Sequence, residues 1–177
     1  RKADNNPVIT GDMMPTGFSR EDFRDPKIWR EEDGYYLLAG NKTDEGIPQV
    51  VLFHSDNLED WQYVSVLAKD LDGKLGTMWE CPDFFSLNGE YGLLISPQNM
   101  MAGNEFHNGN NVAFLSGKYD KKRHIFQYDK AISVDEGLDF YAPQTLEMPD
   151  GRRIMIGWMQ SWDSNIRPEN QKWSGMM

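Results

Sequence analysis

Three segments of the chain can be laid over one another: DPKIWREEDGYYLLAG (25–40), CPDFFSLNGEYGLLIS (81–96) and APQTLEMPDGRRIMIG (142–157). Each starts with a proline in second place and an apolar strand, turns at an Asp-Gly or Asn-Gly pair, and returns as a second apolar strand. Such dipeptides mark hairpins because the tight turns that join two strands need positive φ. The prolines, at 26, 82 and 143, are separated by 56 and then 61 residues. Each interval holds two more short apolar runs, PQVVLFHS and DWQYVSVL in the first, NVAFLSG and HIFQYD in the second. Helical periodicity is nearly absent. Four strands per unit, repeated, is the pattern of a β-propeller and not of an Ig-like sandwich. The expectation is an all-β chain with about three blades of four-stranded antiparallel sheet. Three units fall short of a ring, which takes about four or more blades, so the blades belong to a larger propeller.

Composition narrows what such a chain binds. The formal charge is −10, from 28 acidic against 18 basic residues. Nucleic acids and anionic membranes are met by clustered Lys and Arg, so neither is an expected partner. No apolar run approaches the roughly 18 residues of a membrane helix. The single cysteine excludes an internal disulfide and fits a reducing compartment, here the cytoplasm. His54, His107 and His124 lack metal-ligand spacing, and no metal or cofactor is called for. Trp61 is expected to pack between blades. Open blade edges offer themselves to a second copy of the chain.

The stretch GTMWECPDFFSLNGEYGLLI (76–95) places Glu80 between Trp79 and Cys81 at the mouth of an apolar strand. An apolar setting tends to keep a carboxylic acid protonated, which suits a general acid. In a propeller the innermost strand of each blade starts near the central axis. The residues around the repeat prolines, Arg24-Asp25, Glu80-Cys81 and Tyr141-Ala142, are therefore expected to converge on one funnel. Carboxylates bind vicinal hydroxyls and do acid–base work, while aromatic faces cover the C–H face of a sugar ring. The expected partner is a small carbohydrate.

The motifs FRDPKIW, WECPDFF, LDFYAPQT and the tail IGWMQSWDSNIRPENQKWSGMM resemble the invertase and β-fructofuranosidase family, family 32 of the glycoside hydrolases, over essentially the whole chain. The closest flavour is the bacterial sucrose or sucrose-6-phosphate hydrolase type. The resemblance implies a five-bladed propeller followed by a β-sandwich, and a retaining hydrolysis of terminal β-fructofuranosides. It implies that Glu80 is the general acid/base and Asp25 the transition-state stabiliser that holds two fructosyl hydroxyls. It implies that Arg24 and Cys81 line the pocket, and that Tyr141, Trp158 and Trp162 form its aromatic wall. Arg24 is expected to help keep Asp25 ionised.

One large departure stands out. The family's nucleophile is an aspartate in an Asn-Asp-Pro-Asn-Gly element on the first blade, and this sequence has none; ADNNPVITGD holds an Asn-Pro, but just ahead of the Arg-Asp-Pro strand. The expectation is that residues 1–177 are a partial propeller whose missing N-terminal part carries the nucleophile, that the C-terminal sandwich is also missing, and that the piece alone is inactive. Two alternatives remain: a related five-bladed glycosidase acting on arabinose or xylose polymers, which the Glu-Cys pair and DFYA argue against, and a non-catalytic propeller that binds carbohydrate or protein.

Overall fold

The computed structural model describes residues 2, 4–103 and 105–162. The first sheet is built in chain order from β1 (Phe18–Glu31), β2 (Gly34–Thr43), β3 (Pro48–Ser55) and β4 (Gln62–Lys69). The second repeats it with β5 (Met78–Leu87), β6 (Glu90–Gln98), β7 (Ala113–Asp120) and β8 (Ile125–Ser133). A third sheet pairs β9 (Tyr141–Glu147) with β10 (Arg153–Trp158). All neighbours are antiparallel. These are propeller blades: two complete ones and, among the described residues, the first hairpin of a third rather than a full four strands. The tail motif beyond Trp162 lies outside the described residues.

The strands are apolar on both faces because each blade is covered on both. Alternation along a strand sends successive side chains to opposite faces. Leu38, Val50 and Leu52 of the first blade meet Leu93, Ile95 and Leu115 of the second in one core. Leu37, Ala39, Val51 and Phe53 point the other way and are covered by Met14 of the N-terminal segment. Trp61 belongs to this second cluster, on the face of the first blade turned away from the second, and not to the core those two blades share. Leu94 and Val112 face the third sheet and meet Tyr141.

The repeat prolines do not precede their strands; they lie inside them. Arg24 pairs with Gly40 and Lys27 with Leu38, leaving Asp25 and Pro26 opposite Ala39 alone. Cys81 and Pro82 stand the same way opposite Ile95, and Ala142 and Pro143 opposite Gly157. Each is a β-bulge, the place inside a sheet that tolerates a residue without an N–H. Asp25, Cys81 and Ala142 all take the left-handed conformation, with φ of 57°, 46° and 52°. A non-glycine residue there is uncommon and costs about 1–3 kcal/mol, a cost that clusters at functional sites. Gly40 lets the first two blades close beside the bulges: a Cβ there would lie 2.1 Å from the carbonyl oxygen of Trp79.

Candidate active site

Three equivalent bulges re-aim three equivalent side chains. Arg24, Glu80 and Tyr141 occupy the same place in the repeat, two residues before the proline, and they meet. Arg24 Nη1 donates to Glu80 Oε1 at 3.1 Å. The Tyr141 hydroxyl donates to Glu80 Oε2 at 2.9 Å and also faces the Ser96 carbonyl at 3.0 Å. One position further on, the backbone N–H of Cys81 donates to Asp25 Oδ2 at 3.1 Å. Gln144 Nε2 holds the Cys81 carbonyl at 2.8 Å, which ties the third sheet to the second bulge. The two carboxylates expected to share a funnel are therefore joined through one dipeptide, Glu80-Cys81, and one neighbouring strand.

Local electrostatics assign some states. Burial above all, then the charges of Asp25 and Glu80, push the Cys81 thiol up from 9.0 to about 12, so it stays protonated and is no nucleophile. Burial and then the Glu80 charge push Tyr141 far above its ordinary value, so it acts as a hydroxyl donor. Two expectations change here. Arg24 does not pair with Asp25; its ion pairs among the described residues are with Glu80 and Asp22. Trp79 is not an apolar wall for Glu80: it is fully buried in the core between blades, its indole N–H on the Leu75 carbonyl at 2.8 Å. A strand sends neighbouring residues to opposite faces, and the carboxylate's direct partners are a guanidinium and a phenol.

The aromatic residues of the third sheet split. Trp158 pairs across the strands with Tyr141 and is half-buried against it. Trp162 is exposed and packs edge-to-face on Trp158, ring centres 5.2 Å apart. Together they form a two-ring rim beside Tyr141.

Sequence reasoning missed the groups that hold these residues in place. Lys27 and Asp83 directly follow the first two prolines and form a buried ion pair at 2.7 Å. Lys27 also donates to the Thr145 carbonyl at 2.6 Å, and Asp83 Oδ2 accepts from Thr145 N at 2.6 Å, so one pair ties all three inner strands. Their equivalence in the repeat was visible; their opposite charge was the signal. A cavity of about 1040 Å³, lined by Lys27, Trp29, Asp83, Phe85 and Arg153 among others, opens further along these strands and does not include Glu80 or Asp25. Asn41, in the apparent sequon Asn41-Lys42-Thr43, is fully buried and donates to the Ser19 and Asp22 carbonyls. Among the described residues no cluster of His, Cys, Asp and Glu could hold a metal ion, and no helix is long and apolar enough to cross a membrane.

The bulged inner strands of adjoining propeller blades thus gather Arg24, Asp25, Glu80 and Tyr141 into one network. Residues 1–177 match the model of the glycosyl hydrolases family 32 N-terminal domain, and the chain belongs to that family. It is 40% identical over 156 residues to the sucrose-6-phosphate hydrolase of Escherichia coli, covering 88% of this chain and 32% of that one. It is 37% identical over 157 residues to the raffinose invertase of Escherichia coli, covering 88% and 33%. Among solved structures it resembles the family 32 β-fructofuranosidase of Bombyx mori, with TM-score 0.88 and 37% identity over 99% of this chain and 37% of that one. A variant of that enzyme in complex with sucrose matches with TM-score 0.83 and 37% identity over 93% of this chain and 34% of that one. The chain thus spans about a third of the length of the relatives it matches.

Proposed function

We propose that this chain is the acid/base-bearing part of a longer, retaining β-fructofuranosidase that hydrolyses sucrose, sucrose 6-phosphate or a related terminal fructoside. In this reading the nucleophilic carboxylate lies outside the chain, about 5–5.5 Å from Glu80 as retaining chemistry requires. Glu80 protonates the leaving glycosidic oxygen and then activates water. Each of its oxygens accepts one hydrogen bond, from Arg24 or from Tyr141, and keeps a second lone pair for the proton it transfers. Asp25, with Oδ2 anchored on the Cys81 N–H, has acceptor capacity for two adjacent fructosyl hydroxyls. Those bonds tighten as the ring flattens toward the oxocarbenium ion, which is where binding accelerates chemistry. Trp158 and Trp162 cover the sugar's C–H face. Relatives named for sucrose-6-phosphate hydrolysis support a cytoplasmic enzyme, where the phosphorylated sugar would be met. That same naming and the sugar-bound neighbour argue against a purely binding propeller.

The observation that carries this reading is the convergence of Arg24, Glu80 and Tyr141 from three blades, with Asp25 held on the N–H of Cys81, the residue after Glu80. The test is fructose release by the full-length protein from sucrose and from sucrose 6-phosphate. Glu80→Gln is expected to lower kcat by about 100-fold or more. Undiminished hydrolysis by that variant would end the acid/base assignment.

A further inference from the structure

Asp22 belongs to none of the motifs above, yet it stands inside an alternating chain of charges. Lys42 Nζ lies 2.7 Å from Asp22 Oδ2, Asp22 Oδ1 accepts from Arg24 Nη2, and Arg24 Nη1 lies 3.1 Å from Glu80 Oε1. The order is cation, anion, cation, anion. Asp22 and Arg24 are two apart on β1, and their side chains meet directly.

The backbone that presents Asp22 is built, not incidental. Between Phe18↔Thr43 and Phe23↔Asn41 the first strand carries four residues opposite one, a wide irregularity ahead of the Asp25 bulge. Two buried amides hold it. Gln49 Nε2 donates to Asn41 Oδ1 at 2.8 Å, and Asn41 Nδ2 donates to the carbonyls of Ser19 and Asp22 at 2.8 and 2.7 Å. Both amides are essentially without exposure. The Ser19 hydroxyl accepts from the Asp22 N–H at 3.0 Å. A buried polar network that is satisfied makes the local geometry unique, and here the geometry it fixes is that of a surface carboxylate.

We propose that Asp22, backed by Lys42, is a positioning residue that holds the Arg24 guanidinium against Glu80 and offsets part of its charge. This rests on the reading of Glu80 as the acid/base. Arg24 on its own would stabilise an ionised Glu80, which has no proton to give. Asp22 shares that positive charge while keeping the guanidinium in place, so Arg24 orients Glu80 with only part of its charge. The hydrogen bond and charge of Lys42 hold the Asp22 carboxyl below the usual range, so Asp22 is an anion throughout the working pH range. The other groups around Glu80 are Asp25 of β1, Tyr141 of β9 and its own neighbour Cys81, and none of these changes in the test below.

The test is the pH profile of kcat/KM for fructose release from sucrose by the full-length protein. Asp22→Asn keeps an acceptor for Arg24 and removes a negative charge. Ionised Glu80 then becomes less costly, and the high-pH limb moves to lower pH by about half to one unit, for charges a few ångströms apart at a partly exposed site. Above the limb, that is about a three- to ten-fold loss of rate. Lys42→Met removes a positive charge and moves the same limb the other way, by less. A lesion in packing alone would not give opposite shifts from the two variants. A limb that stays put in both, or moves the same way in both, overturns the proposal. If Asp22→Asn does not fold, Lys42→Met alone decides: an upward shift supports the role and an unmoved limb overturns it. Glu80→Gln run alongside separates the two claims. If it stays active, the acid/base reading falls and takes this inference with it. If it is inactive while both limbs are unmoved, only the role of Asp22 falls.

Discussion

Replacing Lys27 by Met is expected to destabilise the propeller more than any single change to the candidate-site residues Arg24, Asp25, Glu80 and Tyr141. The side chain of Asp83 is 1% exposed, and its ion pair with Lys27 is the joint between the three inner strands. Without Lys27, Asp83 keeps only the N–H of Thr145 for one oxygen, and its Oδ1 has no partner among the described residues. Removing one member of a buried ion pair costs about 3–5 kcal/mol, because the remaining charge is left uncompensated. Lys27 is 22% exposed, so its own charge is partly solvated and the lower end, about 3 kcal/mol, is expected. The double variant Lys27→Met with Asp83→Leu removes the stranded charge; it adds the Thr145 N–H left without an acceptor, a loss of about 1–3 kcal/mol, to the Thr145 carbonyl that both variants leave without Lys27. It should therefore be more stable than the single variant. Urea unfolding followed by tryptophan fluorescence on the full-length protein measures both. A Lys27→Met protein within about 1 kcal/mol of the parent, or a double variant weaker than the single, would refute the claim that this pair is desolvated and shared by three blades.

Two further outcomes follow from the same contacts. Gly40→Ala places a methyl 2.1 Å from the Trp79 carbonyl oxygen, directly across β1 from Arg24, and should cost about 1–3 kcal/mol while lowering kcat, since it pushes the Glu80 strand away from Arg24; parent-like melting and turnover together would contradict the close approach. Cys81, pushed up to about 12 from 9.0, carries about a thousand-fold less thiolate than an ordinary cysteine near neutral pH, so iodoacetamide should label the folded protein far more slowly than the unfolded one, with the rate rising steadily beyond pH 9. Rapid labelling at pH 7 would remove the protonated thiol from the site.

Much of the blade architecture was legible because hairpins are local. Asn88-Gly89 forms the turn between Leu87 and Glu90 with φ of 53° and 86°, as the dipeptide required. At the first hairpin the turn slid by one residue, to Glu32-Asp33, with Gly34 opening the return strand. There the next strand leaves Gly34 no room for a side chain: a Cβ would lie 2.7 Å from the His54 ring and 2.8 Å from the Ser55 carbonyl. The position of the prolines inside long strands was not legible, because a proline looks the same at a strand's start as at a bulge within one. Trp61 shows a related limit: its burial is evident from its type, but not which of two apolar faces receives it.

The sequence by itself determined that Arg24, Glu80 and Tyr141 are equivalent, since equal spacing from a repeated proline is a property of the chain. It also supplied the charges of Lys27 and Asp83 at matching places. Only the tertiary structure decided which of these groups touch: Arg24 turns from its neighbour Asp25 to Glu80 and Asp22, and Asp25 is held by a backbone N–H. The physical reason is that hydrogen bonds and ion pairs act over about 3 Å, a distance set by how far adjacent blades close and how each bulge rotates its strand, and neither is written in the order of residues along one segment.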